Sequence, residues 1–78
     1  MRISFKEKRE LEGLPSQIEA LESEQASLMQ KLSEADYHKR PVTEIKADKE
    51  RIDALPALIE AAYARWEELT EKAEQSDR

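Results

Sequence analysis

The feature that most restricts the fold is an apolar repeat whose spacing alternates between three and four residues and which runs twice along the chain. Its first pass is Leu11, Leu14, Ile18, Leu21, Leu28, Leu32 and Ala35, with Gln25 in the one polar slot. In heptad notation Leu11, Ile18, Gln25 and Leu32 are a positions, and Leu14, Leu21, Leu28 and Ala35 are d positions. A second pass places Ile45, Ile52, Ile59, Trp66 and Ala73 at a, and Asp48, Leu55, Ala62 and Leu69 at d. Only an α-helix brings such spacings onto one face, so each pass is a helix with a narrow coiled-coil seam. Between them lies the stretch Asp36 to Thr43, where Pro41 excludes Arg40 from the helical region and breaks the heptad phase.

An antiparallel pairing of the two passes demands that facing residue numbers have a constant sum. Leu11 then faces Leu69, Leu14 faces Trp66, Ile18 faces Ala62 and Leu21 faces Ile59, and toward the tip Gln25 faces Leu55, Leu28 faces Ile52, Leu32 faces Asp48 and Ala35 faces Ile45. Every pair sets an a residue against a d residue, and large meets small at Ile18–Ala62 and Ala35–Ile45, which keeps the helices evenly spaced. The expected fold is therefore all-α: a two-helix antiparallel intramolecular coiled-coil hairpin, monomeric, with Leu11, Leu14, Ile18, Leu21, Leu28, Leu32, Ile45, Ile52, Leu55, Ile59, Ala62, Trp66 and Leu69 as its core. A parallel dimer would oppose Trp66 to Trp66, a poor fit in a two-stranded seam. Gln25 opposite Leu55 reads as a register-fixing polar residue. Beside the seam the same register sets Glu10 near Lys72, Gln17 near Arg65 and Pro15 near Tyr63, and it brings Lys31 against Arg51, with Met29 near Lys49. Like charges across a seam are mildly destabilising.

Local signals divide the chain further. Ser4 followed by Glu7 is a capping box that starts a helix, and Thr43 is placed to cap the second arm. Two Leu-Pro pairs, Leu14-Pro15 and Leu55-Pro56, interrupt otherwise regular helical patterns. Proline inside a helix deletes a backbone hydrogen bond and crowds the carbonyl four residues earlier. The apolar register runs unbroken through both, so kinks or a short irregular turn rather than helix ends are expected, the first break being the deeper because of Gly13. This gives residues 1–13 as a short leading helix or linker, and 14–78 as the hairpin, with an arm over 14–35, a tip over 36–43 and an arm over 44–75.

Composition narrows the function. Charged residues make up 40% of the chain, with one Gly, three Pro, one His and no Cys. No apolar run is long enough to span a bilayer, no secretory leader opens the chain, and a disulfide framework is excluded. One Gly cannot build a phosphate-cradling loop, and His38 has no second His or Cys with which to bind a metal. A two-helix rod has no cleft that would raise a carboxylate pKa, so Glu67, Glu68, Glu71 and Glu74 read as a solvated acidic face rather than acid–base catalysts. The expectation is a chain with no catalytic residue, no metal and no cofactor of its own.

The net charge of −5 argues against nucleic acid when taken whole, but its distribution is uneven. Residues 36–51 carry five basic and four acidic groups and residues 1–13 four and three, whereas 14–35 carry one and four and 52–78 three and seven. The acidic excess lies in the arms, and both ends of the rod are relatively basic. Candidate phosphate contacts are Lys39, Arg40, Lys46 and Lys49 at the tip, and Lys6, Lys8 and Arg9, with Arg2, at the base. His38 belongs to the same tip cluster, and Tyr37 stands beside it, placed to stack on a base. The plainer alternative is a solvated turn with ordinary surface charge. Trp66 reads as core rather than as part of a ligand site.

The opening stretch Ile3-Ser4-Phe5-Lys6-Glu7-Lys8-Arg9-Glu10-Leu11-Glu12-Gly13-Leu14-Pro15 resembles the motif LSYKEQRELEALP of a C-terminal domain found on bacterial ABC-F ATPases of the Uup type. Ala64-Arg65-Trp66-Glu67-Glu68-Leu69 is similar to that domain's closing ERWEELE, and Asp36-Tyr37 falls at its acidic-aromatic turn. Gly13 and the second Leu-Pro pair depart from the pattern. The resemblance covers essentially the whole chain. It implies a fragment of a cytoplasmic protein without membrane spans, whose upstream nucleotide-binding modules hydrolyse ATP with Mg, and whose C-terminal coiled coil contributes to DNA binding. It also implies a link to the ribosome and its RNA, so that a module docking the parent ATPase onto the ribosome, or onto its own nucleotide-binding domains, is the alternative function. The basic contact residues named above come from charge placement, not from the resemblance.

Overall fold

In the computed structural model, which describes residues 2–76, two long α-helices lie against each other as an antiparallel hairpin. Helix α1 spans Phe5–Leu32 and α2 spans Val42–Ser76, with a single 3-10 turn at Tyr37–Lys39 in the connection. The result is a rod with extents of 58 × 17 × 15 Å.

Helix α1 begins where its sequence signal stands. The Ser4 hydroxyl accepts from the Glu7 backbone N–H, and the Glu7 carboxylate accepts from the Ser4 N–H, each at 3.1 Å, completing the capping box. Lys72 donates to the same carboxylate at 2.7 Å across the hairpin. These two contacts, the lysine first, hold the Glu7 carboxyl down at about 2. Helix α2 starts two residues earlier than a Thr43 cap would allow. The Pro41 carbonyl accepts from the N–H groups of Glu44 and Ile45, so Pro41 stands at the cap position and Thr43 lies inside the first turn. A proline is well suited there, because its missing N–H is one the helix would leave unpaired.

Both internal prolines are carried within continuous helix. Residues 5–13 are therefore the first turns of α1 rather than a separate leading helix. Gly13 has an ordinary helical φ, and packing of Leu11, Leu14 and Ile18 on both sides of Pro15 holds the register across the lost bond. The cost of an interior proline, about 3 kcal/mol, is borne by that seam.

The core follows the seam. Leu14, Ile18, Ala62 and Leu69 form one buried cluster with Leu11 and Leu21 packed on it, and Leu55 is fully buried further along. Leu28, Leu32, Ile45, Ile52 and Ile59 are half-buried, as a single seam without a second layer dictates. Trp66 departs from its sequence assignment: it retains 37% exposure at the seam edge. An indole at an a position is too wide for a narrow seam opposite Leu14, so its ring spills toward one flank. Ala35 also departs, since α1 ends at Leu32 and Ala35 is exposed in the connection. Tyr37 provides the apolar cover at that end instead, with only 8% exposure.

The chain reverses without glycine and without any positive φ among the described residues. Successive short turns achieve this: the N–H groups of Glu34, Tyr37, Lys39 and Arg40 each donate to the carbonyl three residues earlier. Arg40 is extended (φ −72°, ψ 158°), as the following Pro41 requires.

Candidate nucleic-acid interface at the ends of the rod

The arms hold their cations in ion pairs. Arg65 makes a two-pronged contact with Glu10 (2.6 and 2.9 Å) and a further one with Glu68, Arg51 a two-pronged contact with Glu24 (2.6 and 2.8 Å), and Lys72 pairs with Glu7. Lys31 binds both Glu44 (3.1 Å) and Asp48 (2.9 Å). These partners correct the flanking pairs expected from the simple register. Arg65 meets Glu10 rather than Gln17, and Arg51 meets Glu24 rather than Lys31, each shifted by one heptad toward the base. Long side chains reach along the rod to an opposite charge, so the like-charge conflict of Lys31 with Arg51 does not occur. Hydrogen bonds from these cations lower the pKa values of Glu10, Glu24, Glu44 and Asp48 and, reciprocally, raise those of Lys31, Arg51 and Arg65.

At the tip the candidate residues separate into two groups. Tyr37 is buried, and its hydroxyl donates to Asp48 at 2.8 Å; burial first, then this bond, raises its pKa. It is not exposed for stacking on a base. Arg40 lies over the Tyr37 ring at 5.8 Å and pairs with Glu44 (2.9 Å) and Glu34 (3.4 Å), so it belongs to the network that closes the tip. Lys39 is highly exposed and only loosely held, 3.6 Å from an equally exposed Asp36. His38, Lys46 and Lys49 are exposed, and neither lysine has a carboxylate partner among the described residues.

At the base, Arg2, Lys6, Lys8 and Arg9 are also exposed and without carboxylate partners among the described residues. Arg9 sits 5.9 Å from the centre of the Phe5 ring, which is itself 76% exposed. The free cations among the described residues thus lie near the two ends, beside paired ones there (Lys31 and Arg40 at the tip, Lys72 at the base), and between the ends the cations Arg51 and Arg65 are both paired.

One feature was not anticipated from the sequence. Pro15, Ile18, Glu19, Glu22, Tyr63 and Trp66 line an open groove of about 250 Å³ on one flank, with the Tyr63 hydroxyl donating to Glu22 at 3.1 Å. Pro15 beside Tyr63 was the available signal, but treating Trp66 as core concealed it. Among the described residues no cluster of His, Cys, Asp and Glu is arranged to hold a metal ion, and no helix is long and apolar enough to cross a membrane.

The chain matches a family model described as the ABC transporter C-terminal domain over residues 2–71. It is 32% identical over 77 residues to an ATP-binding protein Uup-like from Haemophilus influenzae, a match covering 99% of this chain and 17% of that protein. It is 33% identical over 72 residues to an ATP-binding protein Uup from the same organism, covering 92% of this chain and 11% of that protein. The chain therefore spans under a fifth of the length of these relatives. No solved structure matches it significantly. A capping box feeding a proline-bearing first arm, an acidic-aromatic tip, an Arg-Trp exit and a match along nearly the full chain agree: the chain belongs to the ABC transporter C-terminal domain family, as a helical-hairpin domain of the Uup type.

Proposed function

We propose that this hairpin binds DNA without sequence preference, through phosphate contacts at the ends of the rod, as the C-terminal appendage of a cytoplasmic ABC-F type ATP-binding protein. The observation that carries the reading is the segregation of unpaired cations: Arg2, Lys6, Lys8 and Arg9 at the base, Lys46 and Lys49 near the tip, with Lys39 loosely held beside them. A free cation releases counterions when it meets a phosphate, whereas a cation already paired must first lose its carboxylate. Arg40, engaged with Glu34 and Glu44, accordingly contributes less than the lysines. The acidic arms repel a duplex laid along their length, so contact is made end-on. In the whole protein, ATP and Mg would be handled by upstream modules.

A docking role on the ribosome or on the parent's own nucleotide-binding domains would draw on Met29, Leu58 and Val42, all exposed. In the heptad frame Met29 and Val42 are e positions on one flank and Leu58 is a g position on the other, so the three compose no single stripe and the DNA reading is preferred.

Fluorescence anisotropy with a labelled duplex tests it. Affinity should fall with salt along a log–log slope of about −3 to −5, the signature of four or five phosphates. Reversing Lys39, Lys46 and Lys49 to Glu should weaken binding at low salt by about tenfold or more, the base cations supplying what remains, whereas Arg40→Gln should weaken it only slightly. A flat salt dependence, or full affinity in the triple reversal, would sink the tip assignment. Single-stranded, branched and A-form RNA duplexes in the same titration define the preferred nucleic acid.

A further inference from the structure

The two flanks of the seam are chemically unlike. One carries the ion pairs that cross between the helices: Glu7–Lys72, Glu10–Arg65, Glu24–Arg51 and Lys31 with Glu44 and Asp48. On the other, no ion pair crosses among the described residues, and the groove floored by Pro15, Ile18, Tyr63 and Trp66 opens instead. Tyr63 and Trp66 are 41% and 37% exposed, and the indole N–H has no hydrogen-bond partner among the described residues. Pro15 supplies no N–H, so the Leu11 carbonyl lacks its donor from four residues on.

The groove is ringed by negative charge. Glu12 and Glu19 lie one turn to either side of Pro15, Glu60 and Glu67 one turn to either side of Tyr63; all are exposed, and none has an ion-pair partner among the described residues. Within residues 11–22 and 59–70 the one cation is Arg65, which is committed to Glu10 and Glu68. An aromatic-and-proline floor inside an uncompensated acidic rim selects its occupant. It repels phosphate. A second copy presenting the same flank would oppose rim to rim.

We propose that this groove docks a protein partner's basic amphipathic segment, a helix that carries Lys or Arg beside an apolar anchor. The anchor fills the space over Pro15 and Ile18, a cation lies on the rings of Tyr63 and Trp66, and further basic residues meet the glutamate rim. The hairpin then has two separate working surfaces: basic ends for nucleic acid and an acidic flank for a basic protein segment.

Trp66 is the chain's single tryptophan, so its emission reports the groove directly. The probe is a capped helical peptide of about 14 residues, about 21 Å long, with Leu at positions i, i+3, i+4 and i+7 and Arg on both sides of that stripe. The control is the same peptide with Glu in place of Arg. The basic peptide should produce a saturable blue shift and the acidic one none. In a Glu19→Gln, Glu60→Gln, Glu67→Gln variant the affinity should drop by about tenfold or more, with helix content unchanged by circular dichroism. Equal responses to the two peptides, or no response to either, would overturn the proposal independently of the variant. A blue shift that grows with protein concentration alone, or on adding duplex DNA, would overturn it as well, by assigning the groove to a second copy or to nucleic acid.

Discussion

At the residue scale, Tyr37 shows how one side chain closes an open-ended seam. Its ring shields the last layer while its hydroxyl and Lys31 converge on Asp48, the single acidic residue at a seam position in the second arm. Tyr37→Phe keeps the shield and removes the donor, and should cost about 0.5–1.5 kcal/mol in urea unfolding followed by circular dichroism. Leu55 and Leu69 have no exposed surface at all. Leu55→Ala should cost about 2–4 kcal/mol, enough to leave so thin a structure largely unfolded at 25 °C. Gln25 was legible as the polar member of the seam, because the heptad frame leaves no other place for it. Trp66 was not: the frame specifies where a Cα faces, but ring width decides whether the side chain is swallowed there. Tyr37 was misread for the opposite reason. Nothing in the local sequence reveals that a turn residue folds back onto an aspartate eleven positions later.

At the element scale, each helix starts where backbone chemistry favours it and survives a proline within it. Gly13 is an ordinary helical residue, and a Cβ placed there would meet nothing within 4 Å. Gly13→Ala should therefore stabilise α1 by about 0.5–1 kcal/mol, read as a higher urea midpoint at unchanged slope. Ser4→Ala should cost about 1 kcal/mol by removing the hydroxyl that accepts from the Glu7 N–H, while the Ser4 N–H still donates to the Glu7 carboxylate. The antiparallel pairing and its register were readable because a constant sum over eight layers leaves no rival. The unbroken register through Pro15 and Pro56 was readable too, but not that residues 5–13 are continuous with the first arm, since local propensity at Gly13-Leu14-Pro15 argues for a break and only the tertiary seam overrides it. The flanking partners were misassigned, by a heptad for Arg65 and Arg51 and by three residues for Lys72, which meets Glu7 rather than Glu10, because long side chains choose partners by charge over several ångström along the axis.

At the scale of the whole molecule, stability and pH are linked through the carboxylates that bridge the arms. The Glu7 carboxyl titrates at about 2 in the folded hairpin instead of its ordinary 4.5, and those of Glu10, Glu24, Glu44 and Asp48 shift the same way. A depressed pKa contributes stability that is complete above the unfolded value and lost as pH falls through the folded one. Urea midpoints should therefore decline between about pH 5 and pH 2 and hold steady from pH 5 to 8, less steeply in high salt because the pairs are solvent-facing. Lys31 has the reverse sign: its pKa is raised above 10.5, so its contribution is complete below that value and fades at higher pH. A flat acid limb would contradict the bridging role of these pairs.

The Ile3 N–H donates to the Ser76 hydroxyl at 2.6 Å, so the chain enters and leaves the rod at the same end. A load pulling residues 3 and 76 apart acts across the seam, not along it. It peels one layer at a time, beginning at the Glu7–Lys72 clasp and then Leu11 against Leu69, and it never has to shear all layers together. The hairpin is thus mechanically soft at its root. Pulled from opposite ends of the rod, the same contacts would resist as a set.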